Sequence, residues 1–193
     1  MNIFKRSKVG LVENVEYKLF DSKGNSKKLF QPNKFYTWLI KKGLAPRNLT
    51  SRLFGVFSSS MIVSNLITTT GVAGVAARIN GSGSPDAYTY IALGTGTDAA
   101  ADANTQLQTE ITTSGGARAN SAVSVVTTDT AGDTAQLQNT FSFTTGGTFA
   151  ITESGVLNAA STGTLLARQV FSAINVASGD SLQVTWKFDC DTA

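Results

Sequence analysis

The chain of 193 residues is 41% apolar and 15% charged, which is enough apolar content for the core of one medium domain, with or without an arm. It has no histidine and a single cysteine, Cys190, which excludes histidine-dependent nucleophile systems and an intrachain disulfide. The net charge of +3 is unevenly spread, since residues 1–60 hold 12 Lys and Arg against 3 Asp and Glu, whereas residues 61–193 hold 4 against 10.

Residues 1–60 are predicted to form a basic anchoring arm that begins with a β-hairpin. ENVEYKLFDSKGNSKKLF reads as two strands around a polar turn, in which Gly24 supplies a positive φ. Val15, Tyr17 and Leu19 alternate with polar residues, so the first strand is expected to have one apolar face.

A short helix is predicted next, over QPNKFYTWLIKKG. Pro32 suits its first turn, and Gly43 ends it. Phe35, Trp38 and Leu39 follow one another at the spacing of a single helical face, so the helix is expected to be amphipathic.

The basic and aromatic side chains of this arm are candidates for docking to an acidic protein surface. Direct nucleic-acid binding is the weaker interpretation, because the aromatic residues fall on the apolar faces of the hairpin and helix and the arm matches no nucleic-acid-binding module. We therefore predict that the apolar faces of Tyr17 and Leu19 contact a partner together with the following residues: Lys27, Lys28, Phe35, Trp38, Lys41, Lys42, Arg47 and Arg52.

Residues 61–193 are predicted to form the body, an antiparallel β-sandwich or barrel-like domain with one helix near 65–80. YTYIALGTGT reads as a strand and a turn, and ADANTQLQTEI as a helical turn. In the last strand, Leu182, Val184, Trp186 and Phe188 alternate with polar residues. Gly-rich turns separate the strands expected at 117–127, 134–144, 148–157, 164–172 and 181–190.

The stretch YIALGTGTDAAADA contains the pattern G-x-G-x-x-A of dinucleotide-binding folds. Asp98 and Asp102 would place negative charge beside the phosphates, and no second strand with an acidic ribose ligand follows. Asp98, Asp102 and Asn104 also offer oxygen atoms to calcium, but their spacing matches no calcium loop. A structural turn and a solvated acidic loop are predicted instead.

No carboxylate pair has the pattern of a catalytic dyad. The segment ITESGVLNAASTGTLLARQVF reads as two strands around AASTG, which places Glu153 diagonal to Arg168. We predict a structural ion pair that fixes the strand register. The sequence indicates no catalytic residue, cofactor or metal ligand, and we do not expect an enzyme.

Several segments occur together in a fixed order: TYIALGTGT, QLQTEI, Arg118, ITESGVLNAAS, TLLARQVF and GDSLQVTWKF. Because of these segments and their order, residues 62–191 resemble a group of bacteriophage virion structural proteins. Members of the group carry an IALGTGT-like strand, a hairpin whose first strand reads ITE-x-G and whose second strand reads LLAR-x-x-F, and a terminal L-x-V-T-W. The group has a structural role, so the resemblance implies no catalytic residue.

The resemblance implies a virion component, made in the host bacterial cytoplasm, that self-associates as a homo-oligomer, with a trimer among the candidate states. Its expected partners are major capsid, portal or neck, and tail proteins, and capsid decoration and tail or neck assembly both stay open. A receptor- or carbohydrate-binding module of a tail fibre is the alternative, with Tyr88, Tyr90 and Trp186 as its candidate aromatics. No secretory signal and no membrane span are recognisable in the sequence.

Overall fold

The computed structural model describes residues 9–42, 44–45, 53–83, 86–144, 146 and 148–192. In chain order the elements are β1 (Val9–Phe20), β2 (Ser26–Lys27), β3 (Leu29–Pro32), α1 (Lys34–Lys41), β4 (Gly55–Ser58), β5 (Met61–Ser64), β6 (Leu66–Ile67), α2 (Thr69–Asn80), β7 (Tyr90–Gly94), β8 (Ala119–Asn120), β9 (Ala122–Val126), β10 (Thr134–Ser142), β11 (Phe149–Leu157), β12 (Leu165–Val176) and β13 (Ser181–Thr192). The predicted mainly β, antiparallel fold is confirmed.

Two antiparallel sheets form a β-sandwich. The larger sheet has the strand order β2-β1-β13-β10-β9, with β5 also paired to β1, and the smaller sheet has the order β6-β12-β11-β7-β8. Their inner faces share one apolar core, in which Tyr17 of the larger sheet lies 4.3 Å, between ring centroids, from Phe171 of the smaller one. Trp186 is fully buried between the sheets and donates a hydrogen bond from Nε1 to Ser154 Oγ at 3.0 Å.

The strand β1 does not belong to a separate arm. It pairs with β13 from Val9↔Thr192 to Phe20↔Ser181, and Tyr17 and Leu19 are buried in the shared core. The strand pairing therefore crosses the boundary that composition predicts at residue 60. The hairpin itself is present, because Leu19 pairs with Lys27 across a turn in which Gly24 has a φ of 82°.

Three consecutive elements, β3, α1 and β4, form a small unit beside the two sheets. From here on, the arm means these three elements and not the whole of residues 1–60. β3 and β4 form a two-stranded ribbon, and α1 begins after Asn33, whose Oδ1 accepts a hydrogen bond from the Tyr36 N–H at 2.7 Å. The prediction that Pro32 lies in the first turn of the helix is wrong, since Pro32 ends β3 opposite Gly55, and Gly43, predicted to end the helix, lies outside the described residues. Tyr36 of α1 is buried and lies 5.0 Å, between ring centroids, from Phe54.

Helix α2 packs against the smaller sheet, as its small residues predict. Thr68 caps it, because Oγ1 accepts from the Gly71 N–H at 2.9 Å, and Gly81 ends it with a φ of 70°. A side chain at Gly71 would meet the backbone of Leu166. The helix starts later than predicted, since residues 66–67 form β6, and the predicted helical turn over residues 101–111 is a loop.

No helix among the described residues has both the length and the apolar character needed to cross a membrane.

Candidate functional site

The Glu153–Arg168 pair lies at the centre of a buried polar cluster. Glu153 on β11 has 0% of its surface exposed, and Arg168 on β12 has 2%. Nε and Nη2 of Arg168 each lie 2.8 Å from Oε2 of Glu153. Since Arg168 stands opposite Gly155 in the register, and Glu153 opposite Val170, the two side chains are the diagonal neighbours that the sequence predicts.

The carboxylate of Glu153 also binds the backbone of the loop that follows β7. Its Oε1 accepts from the N–H of Gly96 at 3.0 Å and of Thr109 at 2.7 Å, and its Oε2 accepts from the N–H of Gln108 at 3.0 Å. Hydrogen bonds to a carboxylate are stronger than neutral ones. We call Glu153, Arg168 and these three backbone N–H groups the carboxylate clamp.

Arg168 extends the clamp to the middle of the same loop. Its Nη1 donates to Oδ1 of Asn104 at 3.0 Å, and its Nη2 donates to the carbonyl of Asp98 at 3.2 Å. Asn104 Oδ1 accepts in addition from the N–H of Ala101 at 2.8 Å. The loop between β7 and β8 is thus held at several points by two side chains of the β11–β12 hairpin.

The two glycines of the GTGT turn make room for the clamp. A Cβ at Gly94 would lie 2.5 Å from both Glu153 Oε1 and the carbonyl oxygen of Thr109, and a Cβ at Gly96 would overlap the same carboxylate oxygen. Backbone N–H groups of glycine-rich turns bind phosphate in nucleotide-binding folds. Here the anion bound at Gly96 is the protein's own Glu153.

A second ionic contact joins the loop to the turn between β11 and β12. Arg118 binds Glu110 through two parallel hydrogen bonds, Nε to Oε1 at 2.9 Å and Nη2 to Oε2 at 2.7 Å. Its Nη1 donates to the carbonyls of Ala159 at 3.0 Å and Thr162 at 2.7 Å. Arg118 therefore fixes the AASTG turn relative to the loop.

The polar groups of this region are engaged with one another. Asp98 accepts from Gln108 Nε2 at 2.6 Å, and Asn104 is bound by Arg168 and Ala101 as described. Within the part of the chain that the structure describes, no three His, Cys, Asp or Glu side chains come close enough to hold a metal ion. The arrangement is suited to holding the backbone in one conformation.

The arm presents the aromatic part of the predicted docking surface. Phe35 and Trp38 are 59% and 50% exposed on α1, and their rings stack with centroids 6.3 Å apart. In contrast, Tyr17 and Leu19 are core residues, so their predicted contact with a partner is wrong. The alternating pattern that suggested an apolar docking face is the pattern of a strand buried on one side.

The predicted basic residues are distributed over several environments. Lys28 and Lys42 are exposed, whereas Nζ of Lys27 lies 2.7 Å from Oδ2 of the buried Asp180 and so joins β2 to the end of the β12–β13 turn. For Lys41 the structure describes the backbone only. Arg47 and Arg52 lie outside the described residues.

A groove of about 560 Å³ runs between the arm and β12, beside Trp38. Two glutamine side chains line the groove and are bound to backbone atoms: Gln31 bonds through both amide atoms to the backbone of Ile62, and Gln169 Nε2 donates to the carbonyl of Val170 at 2.8 Å. The wall residues are Gln31, Pro32, Lys34, Thr37, Trp38, Ile62, Val63, Ser64, Gln169, Val170, Phe171 and Ser172.

The aromatic residues considered for a glycan-binding face are placed differently. Trp186 is fully buried, as its strand pattern indicates, and is removed from that role. Tyr88 and Tyr90 are partly buried, and Tyr88 packs against Gly74 of α2. Trp38 is the half-exposed tryptophan of the described residues.

Sequence reasoning missed most of the clamp. Gly96, Gln108, Thr109 and Asn104 bind Glu153 or Arg168, yet they are separated from both by more than forty positions. The available signal was the co-occurrence of GTGT, QLQTE and ITESG in a chain without histidine. That combination favours a buried structural carboxylate over a catalytic one.

The chain matches no protein-family model, no curated protein and no solved structure in the three comparisons made with it.

Proposed function

We propose that the chain is a structural protein of a bacteriophage particle and that its arm docks on an acidic surface of the capsid or tail. The observation that carries this proposal is the exposed aromatic pair Phe35 and Trp38, which stands beside an apolar groove on a small unit outside the sandwich. Exposed apolar surface of this kind marks an interaction site.

The charge around the arm supports an acidic partner. The sequence has no Asp or Glu between Asp21 and Asp86, and Lys28, Lys34 and Lys42 are exposed there. A field of one sign steers a partner of the opposite sign, so a basic arm favours an acidic partner and disfavours contact with basic proteins. Exposed aromatic rings on a helix with exposed lysines at both ends combine the apolar anchor and the charged rim of a protein interface.

The carboxylate clamp supports a building block over an enzyme. The charged residues of the loop and hairpin segments that carry the phage resemblance, namely Glu110, Arg118, Glu153 and Arg168, are each bound to another part of the same chain. These groups stabilise the loop and the hairpin and are not collected at the groove. Capsid decoration and attachment at the tail or neck are both compatible with such a block.

The test is the protein content of purified particles. Phage particles are purified from a culture of the bacterial strain that carries the coding sequence. The amount of the chain in the particles is then measured relative to the major capsid protein by mass spectrometry. We expect the chain in the particles, at high copy number for a shell protein and low copy number for a tail or neck protein. Its absence from particles contradicts the proposal.

A glycan-binding module of a tail fibre is the second candidate, and the half-exposed Trp38 at the groove favours it, since sugars stack on such rings. The amides of Gln31 and Gln169 are bound to backbone atoms, which leaves few groups to read sugar hydroxyls. Binding of the full chain to a glycan array, abolished by Trp38→Ser, would favour this role over docking.

A further inference from the structure

Strand β9 is an edge strand of the larger sheet, and no other described strand pairs with its outer side. It pairs with β10 on one side, and Val123 and Val125 are 59% and 70% exposed. Val123 stands opposite the buried Leu137, so it lies on the core-facing side of the sheet at a place that the smaller sheet does not cover. In an antiparallel edge strand, alternate residues direct N–H and C=O away from the sheet, where another strand can pair with them.

Strand β4 of the arm is a second open edge. Among the described strands it pairs with β3 alone, and Val56 is 62% exposed. β4 has 4 residues and β9 has 5, so the two edges are nearly equal in length. Both carry exposed β-branched or aromatic side chains that suit cross-strand packing.

The two edges differ in the sign of the charge around them. β4 belongs to the stretch without Asp or Glu between Asp21 and Asp86. The β9–β10 turn carries Asp129 and Asp133, and the sequence has no Lys or Arg from residue 119 to residue 167. An arm edge and a β9 edge therefore attract each other, whereas two β9 edges repel.

The two edges cannot meet within one copy. β9 ends the larger sheet on one side, and the arm lies beside β5 and β12 on the other, with β1, β13 and β10 between them. We propose that β4 of one copy adds to β9 of a second copy, so that the arm ribbon continues the larger sheet of its neighbour. Repeated head to tail, such a contact joins different surfaces of successive copies and builds a closed ring or an open chain.

The contact is weak in the free chain. Pairing of four residues buries less than the roughly 1,000 Å² that a stable interface requires. A particle surface that holds many copies raises their effective concentration and stabilises the same contact. The inference rests on the proposed structural role, but it concerns contact between copies and can fail independently of particle binding.

Chemical cross-linking of the full chain tests the pairing. In a Cys190→Ser background, single variants Val56→Cys, Val123→Cys and Val125→Cys are treated with a short bismaleimide, alone and in mixtures. The reagent is long enough to join the cysteine at position 56 to a cysteine at either position 123 or position 125, whichever of the two lies nearer in the paired strands. Val72→Cys, on the exposed face of α2, replaces the β9 cysteine in the control mixture, since Val72 is exposed to a similar degree.

We expect a cross-linked dimer in the mixture of Val56→Cys with Val123→Cys or Val125→Cys, well above the Val72→Cys mixture and reduced by added salt. Each variant alone should stay monomeric. Cross-linking of a single variant with itself, or a yield equal to the control, overturns the β4–β9 contact. Particle incorporation is scored separately, so either result leaves the proposed docking role to its own test.

Discussion

The backbone N–H of Gly96 donates a hydrogen bond to Oε1 of Glu153 at 3.0 Å, and a methyl group at Gly96 would overlap that oxygen. A glycine-rich turn and a carboxylate from a strand 57 positions later are thus one structural unit. The turn resembles a phosphate-binding loop because its backbone binds an anion, and that anion is the carboxylate of Glu153. This contact stabilises the long loop between β7 and β8.

Removal of the Glu153 charge should destabilise the protein strongly. In Glu153→Gln an amide NH₂ replaces one carboxylate oxygen and faces N–H donors, while the buried charge of Arg168 loses its counter-ion. We expect a loss of about 3–5 kcal/mol in the free energy of unfolding, measured by urea denaturation. Glu16→Gln removes the surface pair with Lys18 and should cost less than about 1 kcal/mol; equal costs would contradict the clamp.

The glycine at position 96 should not tolerate alanine. In Gly96→Ala the Cβ meets Glu153 Oε1 and lies 2.6 Å from Gln108 Cβ, so the loop must move away from the sheet and lose the clamp hydrogen bonds. We expect a cost of about 3 kcal/mol or more. Gly24→Ala has open space but a φ of 82°, and its cost should stay near 1–2 kcal/mol. Thermal unfolding of both variants compares the two.

Arg118 should not be replaceable by lysine. A lysine cannot make the two parallel bonds to Glu110 and still reach the carbonyls of Ala159 and Thr162. For Arg118→Lys we expect a loss of about 1.5–3 kcal/mol and faster amide hydrogen exchange in the β11–β12 turn. Lys18→Arg, at an exposed pair, serves as the control; unchanged exchange in Arg118→Lys would show that the turn is held by other contacts.

Alkaline pH should weaken the fold through Tyr17. Burial raises the pKa of the Tyr17 hydroxyl well above its ordinary value, so the folded state keeps the proton while the unfolded state loses it above about pH 10. The stabilisation is complete below that pH and declines as the pH rises. The free energy of unfolding, measured from pH 8 to pH 11.5, should fall less steeply in Tyr17→Phe than in the wild type; identical slopes would contradict this assignment.

The sequence predicts the elements whose pattern is local. The alternation around Trp186 identifies β13 and its core face, and the Glu153–Arg168 diagonal follows from one hairpin. The pairing of β1 with β13 joins the two ends of the described chain, which no local pattern reveals. Composition placed β1 in the basic arm, whereas its apolar face places it in the sandwich core.

The exposed side chains of the arm show the same limit. Phe35 and Trp38 have the spacing of a buried helical stripe, yet Tyr36 is the residue that packs against Phe54. The ribbon beside α1 determines which side of this two-turn helix is buried. That ribbon forms between β3 and β4, which are separated in sequence by α1 itself. Hydrophobic spacing alone therefore identifies the helix but not its buried side.

The two exposed rings of the arm should be dispensable for folding and required for docking. Phe35→Ser combined with Trp38→Ser removes two exposed rings, so the free energy of unfolding should change by no more than about 1 kcal/mol. Deletion of residues 1–60 is unsuitable for this purpose, because it would remove β1 from the larger sheet. Val72→Ser combined with Ile79→Ser removes a comparable exposed apolar area on α2 and is the matched control.

Incorporation of these two double variants into phage particles, measured by mass spectrometry relative to the major capsid protein, determines whether the arm is the docking surface. We expect Phe35→Ser/Trp38→Ser to be lost from the particles and Val72→Ser/Ile79→Ser to be retained at the wild-type level, with both proteins folded. Retention of the arm variant at the wild-type level would contradict the arm as the docking surface.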